Sequence, residues 1–87
     1  MTYAELCSIS VEPLGANQFV IRTPLGNKLQ SYTSTIAIVD TAGKVTLGPH
    51  WDYSVTTGKY RNRFLNETIK ETREKIADGT YTVDLTL

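Results

Sequence analysis

The apolar residues of this chain follow two different periods, and the change from one to the other occurs near residue 54. Up to residue 48, short stretches place apolar side chains at every second position, which is the spacing of β-strands with one buried face. From residue 55 to residue 77 the spacing is that of amphipathic helices. The change of period predicts an α+β fold, in which an antiparallel sheet of four to five strands packs against two short helices in the order β-β-β-β-α-α-β.

Four strands are predicted in the first half of the chain, at CSISVE (7–12), NQFVIRT (17–23), KLQSYTSTIAIVD (28–40) and KVTLG (44–48). Pro13 and Gly15 are expected to end the first strand, and the turn sequences PLGN and DTAGK follow the second and third. The third segment is long for one strand, so we expect a bend or bulge near residues 31–34. Such short connections predict an antiparallel meander.

The first helix is expected to begin after Ser54, a favourable N-cap residue. Gly58 falls in its first turn, where the absence of a side chain allows another group to pack closely. Trp51 is expected to pack beneath the start of the helix, and Asp52 to lie near its positive end, where either Asp52 or Ser54 is expected to be the cap. The inward arc of the helix is predicted to contain Thr57, Tyr60, Arg61, Phe64 and Leu65, and the outward arc Lys59, Asn62, Arg63 and Asn66.

The second helix is predicted from a capping box, in which Thr68 is followed three residues later by Glu71. Glu71 and Lys75 have the i,i+4 spacing of an ion pair, and Gly79 is suited to end the helix. A last strand, TYTVDLTL (80–87), is expected either to extend the sheet or to cap one of its edges. The inward stripe of the second helix is predicted to be Ile69, Thr72, Arg73 and Ile76.

Composition limits the classes of protein to which the chain can belong. Its 87 residues are expected to form a single domain spanning 1–87. Nine Lys plus Arg balance nine Asp plus Glu, so the net charge does not favour nucleic acid or an anionic membrane. The single cysteine, Cys7, cannot form an internal disulfide, which favours a reducing compartment. The longest apolar run, IAIV, is far shorter than a membrane helix of about 20 residues or a signal peptide, which predicts a soluble intracellular protein.

The stretch HWDYSVTTGKYRNRFL (50–65) invites three chemical hypotheses, none of which its residues favour. A Walker A phosphate loop fails at two fixed positions, because Tyr53 replaces its first glycine and Tyr60 its final Ser or Thr. A metal site formed by His50, Asp52 and Cys7 lacks the closely spaced Cys or His pairs of zinc sites. A Ser-His-Asp hydrolase lacks a nucleophile elbow. We therefore expect no enzyme activity, no metal and no cofactor.

Aromatic and basic residues are the candidates for contact with a partner. Trp51 and Phe64 are expected in the core, whereas an exposed tyrosine would indicate a contact surface. No acidic residue interrupts residues 53–66, where three basic residues lie, and three more follow in the second helix. This helical third could bind phosphates or an acidic protein, or it could be an ordinary solvated face. The candidate partner-binding residues are Tyr53, Lys59, Arg61, Arg63, Lys70 and Arg73.

Residues 28–83 contain a strand with the residues SY, then the pattern WDYS-x-TT-x-K-Y-x-x-x-FL, then a tail resembling ET-x-K-K-I-x-x-G-x-Y. These motifs resemble a family of small uncharacterised proteins of phages, prophages and plasmids. The resemblance implies a mobile-element origin and a location in the host-cell cytoplasm, and it implies no established chemistry.

Two functional hypotheses follow. In the first, the protein is a small phage or mobile-element protein that binds a host or phage protein complex without catalysis, for instance as an anti-CRISPR-like inhibitor of a defence complex. The alternative is a small nucleic-acid-binding accessory protein that uses Lys59, Arg63, Lys70 and Arg73 on phosphates.

Overall fold

The computed structural model describes residues 9–87, which form one sheet of six strands and two helices. This arrangement confirms the predicted α+β class and the order of strands followed by helices and a last strand. The elements are β1 (Ser10–Gly15), β2 (Gln18–Thr23), β3 (Gly26–Ser31), β4 (Ser34–Asp40), β5 (Val45–Leu47), α1 (Val55–Leu65), α2 (Ile69–Ala77) and β6 (Thr82–Val83).

The strands lie in the sheet in the same order as in the sequence. The first five form an antiparallel meander, as predicted, and β6 pairs in parallel with β5 through Thr46–Thr82 and Leu47–Val83. A parallel pair requires a crossover connection, and the two helices supply it. The last strand therefore extends the sheet, which was one of the two expected outcomes.

The sheet has one strand more than expected because the segment 28–40 folds as two strands. The chain reverses direction at Tyr32 and Thr33, so that Ser31 pairs with Ser34 across a two-residue turn. The expected bend near residues 31–34 is therefore a complete hairpin. The pairing of β3 with β4 also contains a register shift, which lies before the turn, between Leu29 and Gln30.

The first strand is displaced from its predicted position. It runs through Pro13 to Gly15, so the prediction that these residues end the strand was wrong. Proline is tolerated here because β1 is an edge strand, where a missing N–H leaves the rest of the sheet intact. Cys7, and with it the predicted start of this strand, lies outside the described residues.

The core lies between the sheet and the helices. Two side chains of α1, Thr57 and Arg61, are buried, and Trp51 is half-buried against the core as expected. Tyr60, Phe64 and Leu65 from the predicted inward arc of α1 are half-buried against the same core. The fully buried apolar residues are Val20, Leu29, Ile36, Ala37, Val45, Leu47 and Tyr81.

Both predicted helix starts are confirmed. Ser54 Oγ accepts a hydrogen bond from the Thr57 N–H at 3.1 Å, and Thr68 forms the capping box with Glu71. Gly79 follows the end of α2 with a φ of +84°, a conformation that glycine adopts at little cost. By contrast, Arg73 was expected on the inward stripe of α2 and is exposed.

The expected ion pair between Glu71 and Lys75 does not form in the described structure. Glu71 instead accepts the N–H of Thr68, and Lys75 Nζ donates to Glu67 Oε1 at 2.8 Å. The local spacing rule fails because the capping box occupies Glu71, and because Glu67 is a buried carboxylate that lies within reach of Lys75.

A group of hydrogen-bonded side chains joins the connection between α1 and α2 to α2 itself and to the residue that precedes β6. We call it the glutamate cluster, and its members are Glu67, Thr72, Lys75 and Tyr81. The Glu67 side chain is only 2% exposed. The Tyr81 hydroxyl donates to its Oε1 at 2.5 Å and the Thr72 hydroxyl to its Oε2 at 2.5 Å. Burial alone would raise the pKa of Glu67, but the hydrogen bonds from Lys75, Thr72 and Tyr81 outweigh burial and hold that pKa below its ordinary value. Burial and the neighbouring Glu67 both raise the pKa of Tyr81.

Candidate functional site

A cavity of about 470 Å³ opens between the β3–β4 turn and the segment that leads into α1. Its volume is within the range of about 300–1,000 Å³ that is typical of binding pockets. We call it the tyrosine cleft. It is lined by Ser31, Tyr32, Ser34, Ile36, His50, Tyr53 and Thr57.

The floor of the cleft is a chain of polar groups that connects the sheet to α1. The side chain of Gln18 in β2 donates through Nε2 to Ser31 Oγ at 2.8 Å. Ser31 Oγ lies 3.5 Å from Thr57 Oγ1, which also accepts from the Ser54 hydroxyl at 3.2 Å. Ser31 and Thr57 are both buried. The same serine that caps α1 therefore also orients a hydroxyl on the floor.

The rim of the cleft is aromatic and exposed. Tyr53 is 74% exposed, and its ring meets the ring of His50 edge-on at 5.6 Å between centroids. The Tyr53 N–H donates to the His50 carbonyl at 3.1 Å, so a turn fixes the two residues side by side.

Tyr32 forms the other side of the rim in an unusual backbone conformation. Its φ is +54°, in the left-handed region that bulky residues rarely adopt, and it is 65% exposed. Glycine, asparagine and aspartate are the residues that normally occupy such hairpin positions. Its N–H donates to the Asn17 carbonyl at 2.6 Å, which ties the turn to the neighbouring β1–β2 turn. The turn therefore holds a large side chain in solvent at a position where a side chain is strained.

Hydroxyl groups and aromatic rings line most of the cleft. His50 and Tyr53 contact each other through their rings. Among residues 9–87, the His50 ring forms no hydrogen bond with a hydroxyl group that it could activate as a nucleophile. Within residues 9–87, no three His, Cys, Asp or Glu side chains lie close enough together to hold a metal ion. His50 and Asp52 take part in no metal-binding group there, and Cys7 lies outside that range.

Arg61, one of the candidate contact residues, lies inside the protein. Its side chain is 1% exposed and donates through Nη1 to the Trp51 carbonyl at 2.6 Å. Its guanidinium lies 5.3 Å from the centre of the Trp51 ring and packs against Gly58, the position predicted to allow close approach. Burial lowers the pKa of Arg61, and the nearby Asp52 partly offsets that effect. A side chain this buried offers a partner no surface, so we leave Arg61 out of the contact residues proposed below.

Asp52 links the two helices. Its Oδ2 pairs with Nη2 of Arg73 on α2 at 3.1 Å, and its Oδ1 lies 3.7 Å from Nη1 of Arg61 on α1. The predicted location near the start of α1 is correct, although the N-cap is Ser54. Arg73 is therefore an exposed residue whose charge is already paired.

The remaining candidate cations, Lys59, Arg63 and Lys70, are exposed. Lys59 and Arg63 are four residues apart on α1 and therefore share a face. Arg63 lines a separate cavity with residues of β1 and β2, including Glu12 and Arg22. None of the three cations forms a salt bridge within residues 9–87.

Residues 8–79 match the model of a family of unknown function, DUF8033. The chain belongs to this family. The match includes β1 and β2, which lie before the motifs that first indicated a family of uncharacterised proteins. The chain matches no curated protein and no solved structure. No helix of the described DUF8033 chain combines the length and the apolar character needed to cross a membrane.

In this DUF8033 chain, sequence reasoning found one side of the cleft and missed the other. Tyr53 was named as a candidate, whereas Tyr32, Ser31 and Ser34 were expected only at a bend or bulge within one long strand. The available signal was the motif SY at residues 31–32, which the fold brings to the same cavity as the WDYS motif at residues 51–54.

Proposed function

We propose that this DUF8033 protein acts by binding another protein without catalysing a reaction. In this proposal it is a small phage or mobile-element protein of the host-cell cytoplasm that inhibits a host complex, such as a CRISPR or another defence complex. The observation that carries the proposal is the tyrosine cleft, where two exposed tyrosines flank a cavity with a polar floor.

Tyr32 and Tyr53 have the properties of interface residues. A tyrosine offers a large apolar ring and a hydroxyl, and it loses little conformational entropy on binding, because it has few rotatable bonds. Exposed apolar area is common on any protein surface, but these two rings border one concave site. Tyr and Trp residues at such sites commonly dominate the binding energy.

Affinity capture from the natural host, with and without nuclease, tests the proposal. The wild-type chain is expected to recover a defined protein complex that survives nuclease, and Tyr53→Ala is expected to lose it. Leu25→Ala is the matched control, because Leu25 is also an exposed apolar residue but lies in the turn at the other end of β3. Equal recovery by wild type and Tyr53→Ala would contradict a role for the cleft, and recovery of no protein would contradict the function.

The alternative, binding to nucleic acid, is favoured by one observation. Lys59, Arg63 and Lys70 are exposed cations that no carboxylate neutralises among residues 9–87. If they contact phosphates, affinity for single- or double-stranded DNA must fall steeply with added salt, because counterions are released on binding. The double variant Lys59→Ala/Arg63→Ala should then reduce the salt dependence, whereas binding that is insensitive to salt contradicts this alternative.

A further inference from the structure

The sheet has a second face, which points away from the helices and which we call the outer face. Among residues 9–87, none of the apolar side chains on this face packs against the hydrophobic core. The strand register places one row of outer-face residues across all six strands: Val11, Ile21, Lys28, Ile38, Thr46 and Thr82. A second row contains Pro13, Phe19, Gln30 and Thr35.

Two interior strands carry apolar side chains on both faces. β2 contains the consecutive residues Phe19, Val20 and Ile21, and β4 contains the run IAIV at residues 36–39. A strand with one face in water normally alternates apolar and polar residues, whereas continuous apolar runs are typical of strands that are covered on both faces. Val20 lies in the core, but Phe19, Ile21 and Ile38 do not. The sequence therefore provides apolar side chains for a second layer that the described part of the chain does not supply.

The apolar residues of the outer face form one continuous patch. Val11 pairs with Ile21 across β1 and β2, and Lys28 lies between Ile21 and Ile38. Val11 is 59% exposed, while Phe19, Ile21 and Ile38 are half-buried. A shallow hollow of about 240 Å³ opens beside Ile21, Lys28 and Ile38. Contiguous apolar patches of this kind mark interaction sites.

The charges of the outer face suit contact with a second copy of the chain. In the strands of the described structure, this face contains one cation and one anion, Lys28 on β3 and Asp40 on β4, and neither forms a salt bridge within residues 9–87. A two-fold axis brings the same surface of two copies together, so the surface must complement itself. A neutral apolar patch with one charge of each sign meets this condition, whereas charges of a single sign would repel their own copies.

The area of the outer face is that of a small dimer interface. Strands lie about 4.8 Å apart and rise about 3.3 Å per residue, so the six strands cover about 500 Å². Two such faces in contact would together cover about 1,000 Å², which is near the lower limit of a specific interface. The association is therefore expected to be weak and reversible, with a Kd in the micromolar range.

We propose that the outer face is the interface of a homodimer, in which the sheets of two copies pack face to face. Ile21 and Ile38 of one copy contact the same apolar patch of the other, and Lys28 of each copy lies near Asp40 of the other. The helices then lie on the outside of the dimer, and the tyrosine cleft, whose floor is on the helix side of the sheet, stays open. This inference goes beyond the proposed function and does not depend on it.

The test is sedimentation velocity of the full chain at concentrations from about 1 µM to about 1 mM. The weight-average mass is expected to rise with concentration from the monomer value of 9.7 kDa toward twice that value. Ile38→Thr should raise the dimer Kd at least about tenfold, because the substitution occurs twice in a symmetric interface. Threonine is β-branched and suits a strand, so the sheet is expected to form.

Further variants locate the interface. Lys28→Glu leaves only acidic charges on the outer face of the described strands, so it should also weaken the dimer, and more strongly at low salt. Val55→Thr is the matched control, because Val55 is a β-branched apolar residue that is 92% exposed but lies on α1. Val55→Thr and Tyr53→Ala should dimerise like the wild type. The amide NMR spectrum of each variant reports whether it is folded.

Three outcomes would overturn the dimer: a wild-type mass that stays at the monomer value up to about 1 mM, a dimer that is unaffected by both outer-face variants, or a dimer that Tyr53→Ala abolishes. If the wild type is monomeric and capture of a partner protein depends on Ile38, the outer face binds that partner instead. If no partner is captured while the wild type dimerises through Ile38, the proposed function fails and the dimer stands.

Discussion

The glutamate cluster and the tyrosine cleft lie at the two ends of α1, and each connects helical residues to the sheet through buried oxygen atoms. In the glutamate cluster, three donors converge on one carboxylate, and both of its oxygens have partners. In the cleft, a chain of neutral groups lies beside an open cavity, and within the described residues one of its buried atoms, the acceptor Gln18 Oε1, has no hydrogen-bond partner. At one end of the helix every oxygen of the central carboxylate thus has a partner, while at the other end one buried amide oxygen has none.

This difference separates residues that hold the fold from residues that are available for function. A saturated charge network stabilises one arrangement and offers nothing to a partner. An unsatisfied buried acceptor and a strained, exposed tyrosine both cost stability, and such costs concentrate at functional sites. The comparison therefore predicts stability effects at one end of α1 and binding effects at the other.

The largest effect is expected for Glu67→Gln in the glutamate cluster. The variant removes a buried charge that accepts from Lys75, Thr72 and Tyr81, and it replaces one of the two acceptor oxygens with an NH2 donor. The free energy of unfolding should fall by about 3 kcal/mol in chemical denaturation. Glu74→Gln, at an exposed position on α2, is the control and should change it by less than about 0.5 kcal/mol. If Glu67→Gln and Glu74→Gln lowered the free energy of unfolding equally, the glutamate cluster would have no special role in stability.

Acid should weaken the same cluster gradually. The pKa of Glu67 is lower in the folded protein than its ordinary value, so the unfolded chain binds the proton more readily. The stabilisation is complete above the ordinary glutamate pKa and is lost as the pH falls through the lowered pKa of the folded state. Denaturation measured between neutral pH and about pH 2 should show this loss in the wild type, and Glu67→Gln should show less of it. Parallel pH profiles for the two proteins would contradict the role of Glu67.

Tyr32→Gly is expected to act in the opposite direction on stability. Glycine adopts a positive φ without steric cost, whereas a side chain there costs about 1–2 kcal/mol, so the variant should gain about 1 kcal/mol after the entropy cost of glycine. It should also weaken partner capture, because it removes half of the aromatic rim. Thr33→Gly is the control, since Thr33 is the other turn residue and its φ is not positive. Stabilisation by both variants would show that φ is not the cause.

The smallest stability effect is expected for Tyr53→Ala. The ring is mostly exposed, so the midpoint of thermal unfolding should stay within a few degrees of the wild type, corresponding to less than about 0.5 kcal/mol. Capture of the proposed partner should nevertheless weaken. A large loss of stability without a change in binding would assign Tyr53 to the fold instead of the cleft.

The sequence predicted those parts of the fold that depend on local chemistry. Ser54 and the Thr68–Glu71 box specified both helix starts, and the 3.6-residue period identified the inward residues of α1, including Arg61. The reversal at residues 32–33 was not predicted, because Ser-Tyr-Thr-Ser contains none of the glycine, proline or asparagine residues that usually indicate a turn.

The polar contacts were harder to predict, because they join residues far apart in the chain. Lys75 has a local candidate partner in Glu71, yet it pairs with Glu67, which also accepts from Tyr81 fourteen positions later. The meeting of Ser31 and Thr57, twenty-six positions apart, depends on how α1 lies against β3 and β4. Sequence periodicity identifies which residues face inward, but it does not identify their partners.

Asp52 connects the rim of the tyrosine cleft to both helices. It is held by one arginine from each helix, and the next residue, Tyr53, stands on the rim. A displacement of α2 relative to α1 is therefore expected to shift the backbone of Asp52 and, with it, the position of the Tyr53 ring. The affinity of a partner that contacts Tyr53 would then depend on the relative position of the two helices. A substitution that shifts one helix against the other would change this affinity even if it lies far from the cavity.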